Sequence, residues 1–99
     1  MEGMTYKEFY DHIYYGGEIE FTYNNNCYFI EGFWKETKVH TISVWHYDTF
    51  GAESKYREEI YNVTNSDGSE NLNNFLNTKI FEGKSFLDAE PDIIVEEIW

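Results

Sequence analysis

Three histidines, one cysteine and nineteen carboxylates are the side chains with which this 99-residue chain could do metal, nucleophilic or acid–base chemistry. His40 and His46 share a strand parity and therefore a face. The six residues of extended chain between them span roughly 20 Å, too far for one metal ion. His12 follows Asp11 in a helical stretch and is not spaced to join either. Cys27 would be a nucleophile only as a thiolate with a base beside it. Its sequence neighbours are Asn and Tyr, with no basic group, so it reads as a half-buried strand cysteine. Glu58-Glu59 and Glu96-Glu97 are adjacent pairs. Along a regular strand neighbours point to opposite faces, so neither pair makes a carboxylate dyad. Glycoside chemistry would also need a cleft, which a core of this size can hardly shape.

Two short motifs come closer to known sites and fail on spacing. Gly83-Lys84-Ser85 has the ending of a P-loop, but the glycine needed five positions before Gly83 is Thr78, and the cradle of backbone N–H groups cannot form without it. A helix turn with Ser85 as N-cap is the better reading. Asn65-Ser66-Asp67-Gly68 suggests a calcium loop. With Gly68 as its glycine, the first and last ligand positions fall on Val63 and Asn74, neither of which can serve. The stretch reads as a turn. We therefore expect no catalytic residues, no metal and no cofactor, and a protein that is not an enzyme.

The feature with functional content is charge combined with aromaticity. Nineteen acidic against seven basic residues give a net charge of −12, which disfavours direct contact with nucleic acid or anionic membrane and favours a basic partner. Aromatic residues make up 20% of the chain, enough to fill a small core and leave some Tyr and Trp for an interface. The acidity is local. Residues 1–20 hold five acids and one base, residues 48–70 six acids and two bases, and residues 85–99 five acids and none, while residues 21–47 balance. Carboxylates spaced along strands can imitate a phosphate row, so the expected partner-binding residues are Glu53, Glu58, Glu59, Glu90, Asp92, Glu96, Glu97 and Trp99. The neutral hairpin is expected to be scaffold.

The elements that must carry these groups are legible. Thr5-Tyr6-Lys7-Glu8 is a capping box, with Met4 and Phe9 as its hydrophobic staple. Tyr6, Phe9, Tyr10, Ile13 and Tyr14 then line one helical face, and Gly16-Gly17 ends the helix. Residues 18–23 alternate, with Ile19, Phe21 and Tyr23 opposite Glu18, Glu20 and Thr22. Asn24-Asn25-Asn26 is a hairpin turn. A two-residue loop at Asn25-Asn26 would set Tyr23 against Tyr28, Phe21 against Ile30 and Glu20 against Glu31. A third strand is predicted over 39–47. Residues 56–63 read as a fourth strand, with Tyr61 and Val63 on one face and Tyr56 and Ile60 on the other, and with a helix as the alternative. A helix carrying Leu72, Phe75, Leu76 and Ile80 follows, then a short capped turn at Ser85–Asp88 closed by Pro91. A final strand runs over 92–99. The fold class is α+β in one domain, residues 1–99: N-terminal helix, antiparallel meander of three to four strands, one or two short helices, C-terminal strand.

The run Gly17–Asn24 with its return Tyr28-Phe29-Ile30, and the stretch Phe75–Ser85, resemble a loose group of small uncharacterised proteins from low-GC Gram-positive bacteria and their mobile elements. The likeness covers about a third of the chain and implies fold and setting, not chemistry. One cysteine leaves no internal disulfide. The N-terminus lacks the basic and apolar regions of a signal peptide, and no apolar run approaches a membrane span. A cytoplasmic location is expected. Two functions remain open: an inhibitor or immunity-type module that blocks a basic, nucleic-acid-binding surface of a partner, or an accessory domain whose acidity serves only solubility.

Overall fold

The structure, a computed structural model, describes all residues from Met1 to Trp99. The chain opens with helix α1 (Tyr6–Tyr15), continues through four strands, β1 (Glu18–Tyr23), β2 (Asn26–Lys35), β3 (Val39–Tyr47) and β4 (Arg57–Asn65), then helix α2 (Gly68–Asn77), the short helix α3 (Phe86–Ala89), a 3₁₀ turn (Glu90–Asp92) and strand β5 (Ile94–Ile98). The expected α+β class and order are present. Residues 57–65 are strand, and β5 adds a fifth strand by pairing with β1, so the antiparallel sheet runs β4-β3-β2-β1-β5.

The capping box starts α1: Thr5 Oγ1 accepts from Glu8 N at 3.1 Å, and Thr5 N donates to Glu8 Oε1 at 3.0 Å. Gly16, at φ 107°, ends it in the left-handed region that glycine tolerates. Asp67 caps α2 and Ser85 caps α3. Lys84 pairs back to Phe81 across a turn at Glu82-Gly83, so Gly83-Lys84-Ser85 is a turn and a cap.

Three sequence expectations need correction. The hairpin loop is Asn24-Asn25, one residue earlier than expected. Both residues take positive φ, 49° and 63°, the geometry of the two-residue turn that matches strand twist. Phe21 therefore faces Tyr28, Ile19 faces Ile30 and Glu18, not Glu20, faces Glu31. Helix α2 stops at Asn77 because Thr78 is extended, so Ile80 lies beyond the helix, although it still packs on the core. In β4 a bulge at Ile60 breaks the expected alternation, so Ile60 packs on the core beside Tyr61 instead of on the opposite face.

All helices lie on one face of the sheet. There Ile19, Phe21, Tyr23, Tyr28, Ile30, Ile42 and Val44 meet Phe9 and Ile13 of α1, Leu72, Phe75 and Leu76 of α2, and Phe81, Phe86, Ala89 and Ile93 from the C-terminal third. Phe9 and Phe86 stack at 4.3 Å, and Phe86 is ringed by Phe21, Phe75 and Phe81. Helix α1 sits directly on β2 at Gly32, where any Cβ would collide with the carbonyl oxygen of Ile13. Beside that crossing, buried His40 donates from Nε2 to Ile13 O and accepts at Nδ1 from Asn71 Nδ2, which also donates to the His40 and Val63 carbonyls. This polar joint ties α1, β3, β4 and α2 together. No helix is long and apolar enough to cross a membrane.

Candidate protein-docking face

With the helices on one side, the opposite face of the five-stranded sheet has no layer over it. Cross-strand register fixes what it displays. Glu97, Glu20, Phe29, Trp45 and Glu59 form one row from β5 to β4. Glu18, Glu31, Ser43 and Asn62 form the next. Outside these lie Thr22, Cys27, Tyr47 and Arg57 on one flank and Phe33, Thr41 and Thr64 on the other. The Trp99 ring reaches this face too, 6.3 Å from Phe29. Phe29 in turn lies parallel to Tyr47 at 6.5 Å.

The carboxylates of this face are crowded and unpaired. The ion pairs of the molecule are Lys7–Asp11 and the Met1 amino group with Glu90, both elsewhere. Burial, reinforced by Glu97 and Glu96, pushes the Glu20 carboxyl above its ordinary range. Burial, with Glu18 and Glu59, does the same to Glu31. Neutral donors partly offset this at the ends: Ser43 Oγ and Asn62 Nδ2 donate to Glu59 at 2.7 and 3.2 Å. Arg57 is one of the few cations on this face, and it lies over the Trp45 ring at 5.9 Å.

Of the eight residues singled out from sequence, four converge here: Glu59, Glu96, Glu97 and Trp99. The convergence of Glu96 with Glu97 corrects the expectation that they point apart. A bulge opposite Glu20/Phe21 breaks the alternation, so Thr22 Oγ1 reaches Glu96 while Glu97 faces Glu20. The other four are scattered. Glu53 is on the β3–β4 loop. Glu58 faces His46 at the helix side of β4 and accepts from Tyr56 OH. Glu90 holds the N-terminal amino group at 3.3 Å, and Asp92 ends the 3₁₀ turn.

Sequence reasoning placed the hairpin outside the site, yet Glu18, Glu20, Phe29 and Glu31 occupy the middle of the face and Phe33 its flank. The signal was present: Glu18, Glu20 and Thr22 alternate, and Phe29, Glu31 and Phe33 share the parity that pairing puts beside them. Segment charge balance hid it, because Lys35 and Lys38 cancel Glu31 and Glu36 in a sum while lying at the hairpin end of the sheet.

The β3–β4 loop makes a rim to the face. Asp48 organises it, accepting from Ser54 Oγ at 2.7 Å and from the backbone N–H of Thr49, Lys55 and Tyr56. The Ser54 hydrogen bond, with these backbone donors, holds its carboxyl down at about 2. A cavity of about 470 Å³ opens beneath this loop, lined by Tyr47, Gly51, Ser54, Lys55, Tyr56 and Arg57. Cys27 lies half-buried on the flank of the face, and burial, then the Glu96, Asp48 and Glu20 charges, push its thiol up. No three His, Cys, Asp or Glu side chains gather as a metal-binding group. Comparison with protein-family models, with curated proteins and with solved structures finds no match.

Proposed function

We propose that this chain is a non-catalytic protein-binding module that seats the open face of its sheet on a basic surface of a partner, acting as an inhibitor or immunity-type protein. The observation that carries the reading is the uncovered sheet face, where six carboxylates without cationic partners surround half-exposed aromatic rings. Rings supply contact area and the carboxylates supply steering and selection against acidic partners. A reducing, cytoplasmic setting in a bacterial host suits the lone free thiol and the resemblance to small Gram-positive proteins.

The test is capture of a host protein on immobilised wild type and on the triple variant Glu20→Gln/Glu31→Gln/Glu59→Gln, each at 50 mM and 500 mM NaCl. The expected result is a basic protein held by wild type at low salt and released at high salt, where screening acts within a few ångströms. Retention that ignores salt, or that survives the triple substitution, refutes the reading. A triple variant that keeps the protein's physiological role and loses only solubility would favour the accessory-domain alternative.

A further inference from the structure

We propose that the open face imitates one strand of nucleic acid, and that its occupant is a groove for single-stranded DNA or RNA on the partner. This rests on the reading of the face as a docking surface for a basic protein.

Linear charge density is the first argument. Glu96, Glu97, Glu20, Glu18, Glu31 and Glu59 run as a stripe from β5 to β4. The sheet order places four inter-strand steps between those edges, about 19 Å at the usual strand spacing. Six charges over that length are one per roughly 3 Å, close to the one per 3.4 Å of a single nucleic-acid strand. The charges are grouped along it: Glu96, Glu97 and Glu20 lie together at the β5 side and Glu18 faces Glu31 next to them, while β3 brings Ser43 and Trp45 before Glu59 on β4.

The second argument is that the stripe is single. A duplex presents two phosphate rows across a groove. Here the carboxylates fall in two adjacent rows of the register, Glu97, Glu20 and Glu59 in one and Glu18 and Glu31 in the next, which together make one stripe. The residues beyond it are Thr22, Cys27, Tyr47 and Arg57 on one side and Phe33, Thr41 and Thr64 on the other, none of them acidic.

The third argument is the rings. Phe29 and Trp45 interrupt the carboxylate row, and Trp99 closes its β5 end. Flat rings beside spaced negative charges are what a groove for single strands recognises, because such grooves pair basic side chains with aromatic stacking platforms. Lys and Arg of the groove would meet the carboxylates, and its stacking residues would meet Phe29, Trp45 and Trp99 in place of bases.

The experiment elutes protein captured from host lysate with four competitors at equal charge concentration: a 16-nucleotide single-stranded DNA, the same sequence as RNA, its DNA duplex, and polyglutamate. The expected result is elution by at least one single strand at about tenfold lower concentration than by duplex or polyglutamate, and about tenfold weaker capture by Trp99→Ala. Trp99 is 56% exposed, so this variant tests the rings without depending on the core. Phe29→Ala/Trp45→Ala is the second variant, used after its thermal transition is checked. Equal elution by polyglutamate, preferential elution by duplex, or unchanged capture by Trp99→Ala overturns the imitation and leaves the basic-partner reading standing. Capture that resists every polyanion and salt, or no capture at low salt, overturns both.

Discussion

Replacing Glu20 by Gln should stabilise the fold at neutral pH. Glu20 lies directly across from Glu97, with Glu96 beside them on the bulge. Two unit charges about 5.5 Å apart repel by about 0.8 kcal/mol in water, and the ionic atmosphere at 0.1 M salt removes nearly half of that. Opposed like charges on a sheet fall in the same range, roughly 0.2–1 kcal/mol each. Two such neighbours give about 1 kcal/mol for Glu20→Gln, which is a rise in melting temperature of about 4–8 °C for a domain of this size.

The same reasoning fixes the pH dependence. Burial and the two neighbouring carboxylates raise the Glu20 carboxyl above its ordinary value of 4.5. The folded state therefore binds the proton more readily than the unfolded chain does. Wild-type stability falls as pH rises from 4.5 through the raised folded value, and the handicap is complete above it. Below 4.5 it disappears. Thermal unfolding of wild type and Glu20→Gln should differ at pH 7 in low salt and converge at pH 3.5 or in 1 M NaCl. A gain that persists under both conditions would assign the effect to side-chain propensity, and no gain at pH 7 would refute the repulsion altogether.

Three further outcomes follow from the geometry. Gly32→Ala should lose about 1–3 kcal/mol in urea unfolding, since α1 must lift off β2 to admit the methyl group; an unchanged midpoint would mean that the helix is not seated there. The β2–β3 turn holds Glu36 and Thr37 at φ 55° and 57°, so Glu36→Asn/Thr37→Gly should gain about 1 kcal/mol by relieving left-handed strain, and a loss would show the turn is not of this type. The native Cys27 thiol should react with a disulfide reagent at pH 7 about tenfold or more slowly than it does in the unfolded chain, because burial and nearby carboxylates disfavour the thiolate; comparable rates would place Cys27 in the open.

Local signals carried most of the fold. The Thr5–Glu8 box, the Asp67 and Ser85 caps and the alternation of Glu18–Tyr23 each act through neighbours a few residues away, so spacing alone exposes them. Sequence alone misplaces the hairpin loop by one residue, and with it the register by two, because all three Asn residues tolerate the turn and both registers keep Ile19, Phe21, Tyr23, Tyr28 and Ile30 on the same face. Neither bulge has a local signature: Ile60 and Glu96 are ordinary strand residues, and each is the extra residue where the register shifts against the neighbouring strand. The open face was half legible for the same reason. Its residues come from three acidic stretches and one neutral one, and only the sheet order β4-β3-β2-β1-β5 makes them neighbours.

That face is also where the chain departs from rules it obeys elsewhere. Each of the three α-helices starts with a side-chain cap, the helix-side core is closed, and one buried side-chain atom, Asn71 Oδ1, lacks a partner. On the open face, by contrast, Glu18 opposes Glu31, Glu20 opposes Glu97, and Phe29, Phe33, Trp45 and Trp99 stay uncovered beside them. A sheet under selection for stability alone would alternate the charges, as Lys for Glu20 or Glu31 would do without touching the core. Solubility does not require the arrangement either, because the same carboxylates would serve as well apart. Local conflicts gathered on one surface are the pattern of a site shaped for something other than folding. A basic partner would turn each of those repulsions into an attraction, so the face that costs the free protein stability is the one with most to gain on binding.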